Sequence, residues 1–186
     1  MEIYLIRHTQ LSIAEGICYG QTDIPLAHTF EEEWKDLKNK LPCPFEAVYS
    51  SPLKRCEILA RRLSGKEVKC DHRLLELNFG TWEMKKWDDI DQHELHRWMN
   101  NFVQERVPQG ESFQDLWVRV RAFLEELEKI SFDKVAVVTH AGVIRTIIAH
   151  ILGMPLQNAF QLGLDYGRVS LITLYEKSYK VSYLNK

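Results

Sequence analysis

Residues 134–140 read KVAVVTH, and residues 3–6 read IYLI; neither run alternates apolar with polar. A strand that is apolar on both faces has to be covered on both faces, so such runs belong inside a sheet flanked by helices. The segments between them have helical spacing. Phe30, Trp34, Leu37 and Leu41 recur through FEEEWKDLKNKL, leaving its charges on a solvated face. A strand candidate, FEAVYS, runs into SSPLKRCEILARRL, where Ser51 suits an N-cap and Pro52 the first helical position. In GESFQDLWVRVRAFLEELEKI, Ser112 and Asp115 have capping-box spacing, and Leu116, Val120, Phe123, Leu124 and Leu127 make an apolar stripe. AGVIRTIIAHILG closes at Gly153 and Pro155. The tail, VSLITLYEKSYKVSYL, predicts a hairpin turning near Lys177 and Ser178. Strands alternating with helices in this way define an α/β fold. The expectation is three α/β/α layers with a mostly parallel central sheet and an antiparallel edge element. Residues 85–107, rich in tryptophan, histidine and acid, predict a small helical cap insertion. With no repeat and no low-complexity linker, residues 1–186 are expected to form a single domain.

The bulk chemistry excludes several classes. A formal charge of −2 leaves no footprint for nucleic acid or an anionic membrane surface. No apolar stretch approaches the ~18 residues that suggest a membrane span. Glu2 and Arg7 break the apolar start too early for a signal peptide. The four cysteines lack tight spacing, so a reduced, cytoplasmic protein is expected. Oligomeric state is left open.

In open α/β sheets ligands bind beyond the carboxyl ends of the strands, and here three strand ends carry related chemistry. The first strand ends in Arg7-His8, FEAVYS is followed within a helical turn by Arg55, and KVAVVTH ends in His140 just before the helix beginning at Ala141. Two guanidinium groups, two imidazoles and a helix N-terminus suit a phosphate dianion.

LIRHT, SSPLKRC, RLLELNFGTWE and VVTHAGVIR, in that order, resemble the histidine phosphatase superfamily, the branch that includes phosphoglycerate mutase. The resemblance implies that His8 is a nucleophile, that Arg7, Arg55 and His140 hold the phosphoryl group, and that Glu76 is the proton donor. Glu83, in TWE, is the rival acid. Neither a cofactor nor a metal is implied. The donor has to be a carboxyl protonated near neutral pH, and Leu75, Leu77 and Phe79 offer apolar surroundings. The superfamily usually has Gly-Glu after the Arg-His pair. Here Thr9 and Gln10 stand there, and Ala14 stands near the position of an asparagine common in the mutases. These departures weigh against mutase activity, while Thr9 can still offer a hydroxyl or backbone N–H.

Within the superfamily, GICYGQTDIPL, LLELNFGTWEMKKWDDI and the late DYG are most similar to alpha-ribazole phosphatases. That resemblance implies a small-molecule ester, alpha-ribazole 5′-phosphate, dephosphorylated in cobalamin nucleotide-loop assembly. Tyr19, Gly20, Gln21, Asn78 and Trp82 fall in the pattern, and with Thr9 and Ala141 they are the expected substrate-binding set. Trp87, Phe102 and Tyr166 are further aromatic candidates for stacking on a flat apolar base, and Gly20 would let the backbone approach substrate closely.

Alternatives remain. A broad sugar-phosphate phosphatase or a mutase-type enzyme shares the motifs, and a phosphohistidine-binding module could share the fold. Cys56 and Arg62 match the Cys-x5-Arg spacing of thiol phosphatases, but the intervening EILAR is helix-forming. His93 and His96 among Asp88, Asp89 and Asp91 could be imagined around a metal, yet the stretch reads as a solvated cap helix. Arg145 and Arg168 could meet carboxylates or substrate.

Overall fold

The computed structural model describes residues 1–42, 44–64, 67–176 and 178–186. Its strands are β1 (Glu2–Arg7), β2 (Ala47–Ser50), β3 (Val68–Cys70), β4 (Lys134–Thr139), β5 (Val169–Tyr175) and β6 (Ser178–Tyr183). They form one six-stranded sheet in the order β3-β2-β4-β1-β5-β6. β1 and β2 each pair with β4 in parallel, as β3 does with β2, while β5 and β6 run antiparallel at one edge. The expected mixed sheet is therefore present.

The helices are α1 (Phe30–Lys38), α2 (Lys54–Leu63), α3 (Gln92–Asn101), α4 (Phe113–Leu127) and α5 (Ala141–Ile151). Because side chains alternate across a strand, β1 divides its residues between two cores. Ile3 and Leu5 pack with Val135, Val137 and the apolar faces of α4 and α5. Tyr4 and Ile6 pack with Ala136, Val138 and the buried residues of α1 and α2. Both cores need a fully apolar strand, which is why β1 and β4 read as unbroken apolar runs.

Several local expectations shift. α2 begins at Lys54 with extended Leu53 as its N-cap, not at Ser51-Pro52. The Ser51 hydroxyl is engaged by His140 Nε2 at 2.8 Å and also accepts from the Leu53 N–H at 3.4 Å, so it ties the helix start to the sheet edge. α1 stops at Lys38, short of buried Leu41. Strand β3 carries no sequence signal, because Lys69 and Cys70 are exposed. The capping box of α4 is complete, with Ser112 and Asp115 bonded reciprocally. Gly153 has φ +60, and Met154 N–H reaches back to the Ala149 carbonyl, closing α5 as its glycine implied. The tail hairpin is formed, although its Lys177 lies outside the described residues.

Residues 85–107 contain a 3₁₀ turn at Trp87–Asp89 and the helix α3, whose Asp91 side chain caps His93 and Glu94. This segment packs on α4 through aromatic edges: Trp98 on Trp82 and Phe102, and Phe102 on Phe113. Trp82 is only 2% exposed and belongs to the core, which corrects its expected place among the substrate contacts. Its indole fills the space between cap and sheet, and a ring buried there has no face left for a ligand. No helix among the described residues is long and apolar enough to cross a membrane.

Candidate active site

Parallel pairing aligns the carboxyl ends of β1, β2 and β4. Arg7 lies opposite Thr139, His8 N–H donates to the Thr139 carbonyl at 3.0 Å, and Ser51 N–H donates to the Val138 carbonyl at 3.0 Å. The His8 and His140 rings meet edge to face with centroids 5.2 Å apart.

His8 is 2% exposed, and its Nδ1 lies 2.8 Å from the Thr9 carbonyl. A carbonyl can only accept, so Nδ1 carries the proton and Nε2 keeps its lone pair. Burial first, then the charge of Arg55, holds the His8 pKa well below 6.5. His140 is likewise buried and held neutral, by desolvation and then Arg55. Arg55 Nε donates to its Nδ1 at 3.4 Å, so Nε2–H of His140 donates to Ser51 Oγ.

Arg55 is fully buried and also donates to the Thr22 carbonyl at 2.7 Å and to the Gly20 carbonyl. It therefore pins the 20–22 loop behind the histidines. The Arg7 guanidinium lies 3.8 Å from the Tyr166 ring centroid and donates to the Leu164 carbonyl, and its buried Nε has no partner among the described residues. Buried Thr9 Oγ1 is likewise unpartnered. The Tyr19 and Tyr166 hydroxyls bond to each other across the mouth of the site.

A cavity of about 150 Å³ opens against Arg7, His8, Tyr19, Glu76, Ala141 and Arg145. Glu76 accepts from Leu77 N–H at 2.9 Å and from Gly142 N–H at 3.1 Å, so its carboxyl rests on the N-terminus of α5. A Cβ on Gly142 would collide with Glu76 Oε1, so glycine is what allows this approach. The Glu76 backbone is fixed as well. Gln21 Nε2 and Arg119 both donate to its carbonyl at 2.9 Å, and Arg119 also bonds the Arg73 and Leu75 carbonyls and pairs with Glu111.

Of the expected binding set, Tyr19 and Ala141 line the cavity, and Gln21 reaches it through Glu76. Gly20 allows a close approach to the Leu77 carbonyl, where a Cβ would collide. The Asn78 side chain caps the N–H of Gly80 in its own turn, outside the cavity wall. Glu83, the rival acid, accepts from the N–H groups of Gln21, Thr22 and Phe79 and from the Thr22 hydroxyl, so its lone pairs tie loops together. Cys56 sits inside α2, fully buried, and burial pushes its thiol pKa up, the opposite of an activated nucleophile. His93 and His96 are exposed on α3, and no metal-holding cluster occurs among the described residues. Phe113 and Phe160 also line the cavity without having been marked by sequence reasoning, and Arg145, which the sequence left between a carboxylate partner and substrate, lines it too. Arg145 stands one turn beyond Ala141 on α5, and that i, i+4 relation brings both to the same wall.

Residues 3–186 match the family model described as histidine phosphatase superfamily (branch 1), and the chain belongs to that family. It is accordingly an enzyme of the phosphoric monoester hydrolase class. It is 31% identical over 195 residues to the adenosylcobalamin/alpha-ribazole phosphatase of Escherichia coli K12, covering 100% of this chain and 96% of that one. Phosphoserine phosphatase 1 of Hydrogenobacter thermophilus is 26% identical over 194 residues, with coverage of 100% and 92%. The crystal structure of the alpha-ribazole phosphatase from Shigella flexneri superposes with a TM-score of 0.90 at 29% identity, covering 100% of this chain and 96% of that one.

Proposed function

We propose that the chain hydrolyses a small phosphate ester through a phosphohistidine formed on His8, with residues 1–186 acting as one catalytic unit under the 85–107 cap. The observation that carries this reading is the state of His8: buried, neutral, its Nδ1–H held by the Thr9 carbonyl and its ring on the wall of a cavity shared with Glu76. Nε2 attacks phosphorus as the ester P–O bond breaks, and Glu76 gives its proton to the departing oxygen. Water then attacks the phosphohistidine, Glu76 takes the water's proton, and inorganic phosphate leaves with His8 restored. Arg7, with an unpartnered buried Nε, meets the charge on the phosphoryl oxygens, and Arg55 and His140 hold the floor behind it.

For the ester itself, the reading is alpha-ribazole 5′-phosphate. The likeness to relatives named for that substrate supports it. So does an apolar hollow of about 320 Å³ under the cap, walled by Trp87, Trp98, Met99 and Phe102, which shares Phe79 and Phe160 with the catalytic cavity. A flat apolar base attached to the sugar would fit between such rings.

The test is phosphate release in EDTA from alpha-ribazole 5′-phosphate, 3-phosphoglycerate, common sugar phosphates and p-nitrophenyl phosphate, with His8→Ala as control. The expected kcat/KM for alpha-ribazole 5′-phosphate exceeds the others by at least ~100-fold, about 2.7 kcal/mol of transition-state discrimination. Even activity across the panel would remove the cobalamin role, and turnover surviving in His8→Ala would remove the nucleophile.

A further inference from the structure

Arg7 is held in place without a counter-ion. Among the described residues it forms no ion pair within 4.0 Å. Its guanidinium instead lies 3.8 Å from the centroid of the Tyr166 ring, and one terminal nitrogen donates to the Leu164 carbonyl. At a stacking distance the ring meets the cation through its face, so it takes none of the N–H groups in the guanidinium plane. A carboxylate in the same place would occupy those donors and cancel the charge that a phosphoryl dianion has to meet.

The ring is itself fixed from both ends. Gly167 N–H, next to it in the chain, donates to the His8 carbonyl at 3.1 Å, and Arg7 N–H donates to the Arg168 carbonyl at 3.1 Å. The turn that carries Tyr166 is thus bonded to the backbone of the two residues its ring meets, with the Tyr166 and His8 ring centroids 5.5 Å apart. At the other end the Tyr166 hydroxyl bonds the Tyr19 hydroxyl, and the Arg55 guanidinium lies 5.7 Å from the Tyr19 ring centroid. Tyr19 is anchored on both sides. Cys18 N–H donates to the Lys85 carbonyl at 2.8 Å, and the Gly20 carbonyl accepts from Arg55. Burial, and then the bond to Tyr166, push the Tyr19 phenol pKa up, so that hydroxyl brings no negative charge to the mouth of the cavity.

We propose that Tyr166 is a positioning residue for phosphoryl transfer: its ring face sets the Arg7 guanidinium, and the Tyr19 hydroxyl sets the ring. The face on Arg7 is then not free to stack on a flat base, the use expected for Tyr166 from its place in the sequence. The inference rests on the cavity beside His8 being the site of phosphoryl transfer, with Arg7 on the phosphoryl oxygens.

p-Nitrophenyl phosphate isolates the phosphoryl side, because its phenolate departs without a proton. The readouts are kcat/KM and the inhibition constant of orthovanadate, a mimic of the transferring phosphoryl group, in the parent enzyme and in an Arg7→Met background. Tyr166→Leu and Tyr166→Val both remove the ring face, and a cooperative melt in either certifies the fold. In the parent, losing the face is expected to cost about tenfold in both readouts, the scale of a partly desolvated cation–π contact. In Arg7→Met the same change is expected to cost less than about twofold, because the group it acts through is gone. Tyr166→Phe keeps the face, and it and Tyr19→Phe are each expected to lose only about threefold, with the double variant losing no more than either. A loss under about twofold in the parent overturns the proposal, as does an equal loss in the two backgrounds, the mark of a merely structural role. No loss in either phenylalanine variant, or losses that multiply in the double, overturns the hydroxyl link. With turnover abolished in His8→Ala and reduced in Arg7→Met, these results sink the role of Tyr166 alone. Turnover persisting in His8→Ala, or undiminished in Arg7→Met, sinks the reading of the site and this proposal together.

Discussion

Burying two imidazoles and keeping them neutral links catalysis to stability. His8 and His140 have folded pKa values well below 6.5, whereas in the unfolded chain they titrate near that value. Below pH 6.5 the unfolded state binds protons that the folded state refuses, so this contribution to stability is present above 6.5 and is lost as pH falls. Each histidine adds a slope of up to roughly 1.4 kcal/mol per pH unit in that range. Urea midpoints measured from pH 7 to pH 5 are expected to drop, and the slope to lessen in His140→Gln. Gly142 has a sharper role, since any Cβ there displaces the Glu76 carboxyl. Gly142→Ala should lower kcat by roughly 10²-fold for alkyl phosphates, the scale of lost general acid catalysis. For p-nitrophenyl phosphate, whose phenolate departs unprotonated, the loss should be markedly smaller; steady-state kinetics on both esters would test it. Arg7, His8 and His140 were legible in the sequence because each sits at or directly beyond the end of an apolar strand. Trp82 was not, because an aromatic in a motif looks the same whether it stacks on a ligand or fills a core. Thr9 was noticed for its hydroxyl or N–H, whereas its carbonyl is what meets His8 Nδ1, and Gly20 lies against the Leu77 carbonyl.

At the level of elements, α4 does more than cover the sheet. Its Arg119 donates to three carbonyls of the 73–76 segment, those of Arg73, Leu75 and Glu76, and is steadied by Glu111. The helix that carries it is started by a capping box whose Asp115 is drawn by Arg106 down to a pKa of about 2. Arg119→Met keeps the length of the stem but strands those carbonyls and the Glu111 charge. It is expected to cost about 2–3 kcal/mol by chemical denaturation, the range for unsatisfied buried acceptors, and to lower kcat by shifting Glu76. Helical periodicity and capping residues made α1, α4 and α5 readable. The start of α2 was not, because the Ser51 hydroxyl is shared between the Leu53 N–H and His140, and only the assembled sheet brings His140 there. β3 was missed because a short edge strand with an exposed Lys69 and Cys70 has no apolar pattern to detect.

Across the whole molecule, the sheet order decides what can be built in isolation. β1 lies between β4 and β5, and β2 lies between β3 and β4, so β4 joins the two halves of the sheet. A fragment ending at residue 133 lacks that joining strand, the β5–β6 hairpin and His140. Limited proteolysis should find it fully sensitive, with none of the protection of the complete chain. The overall α/β layering was open to sequence reasoning because every layer leaves a local imprint. The order of strands was not, since pairing is a long-range choice made by shape.

That order has a consequence during synthesis. The apolar strand Ile3–Ile6 leaves the ribosome well before both of its sheet neighbours, β4 and β5. At ordinary elongation rates the wait is on the order of ten seconds. Throughout that interval the nascent chain holds an unpaired apolar strand beside the residue proposed to attack phosphorus, so the proposed site cannot assemble until β4 has been made.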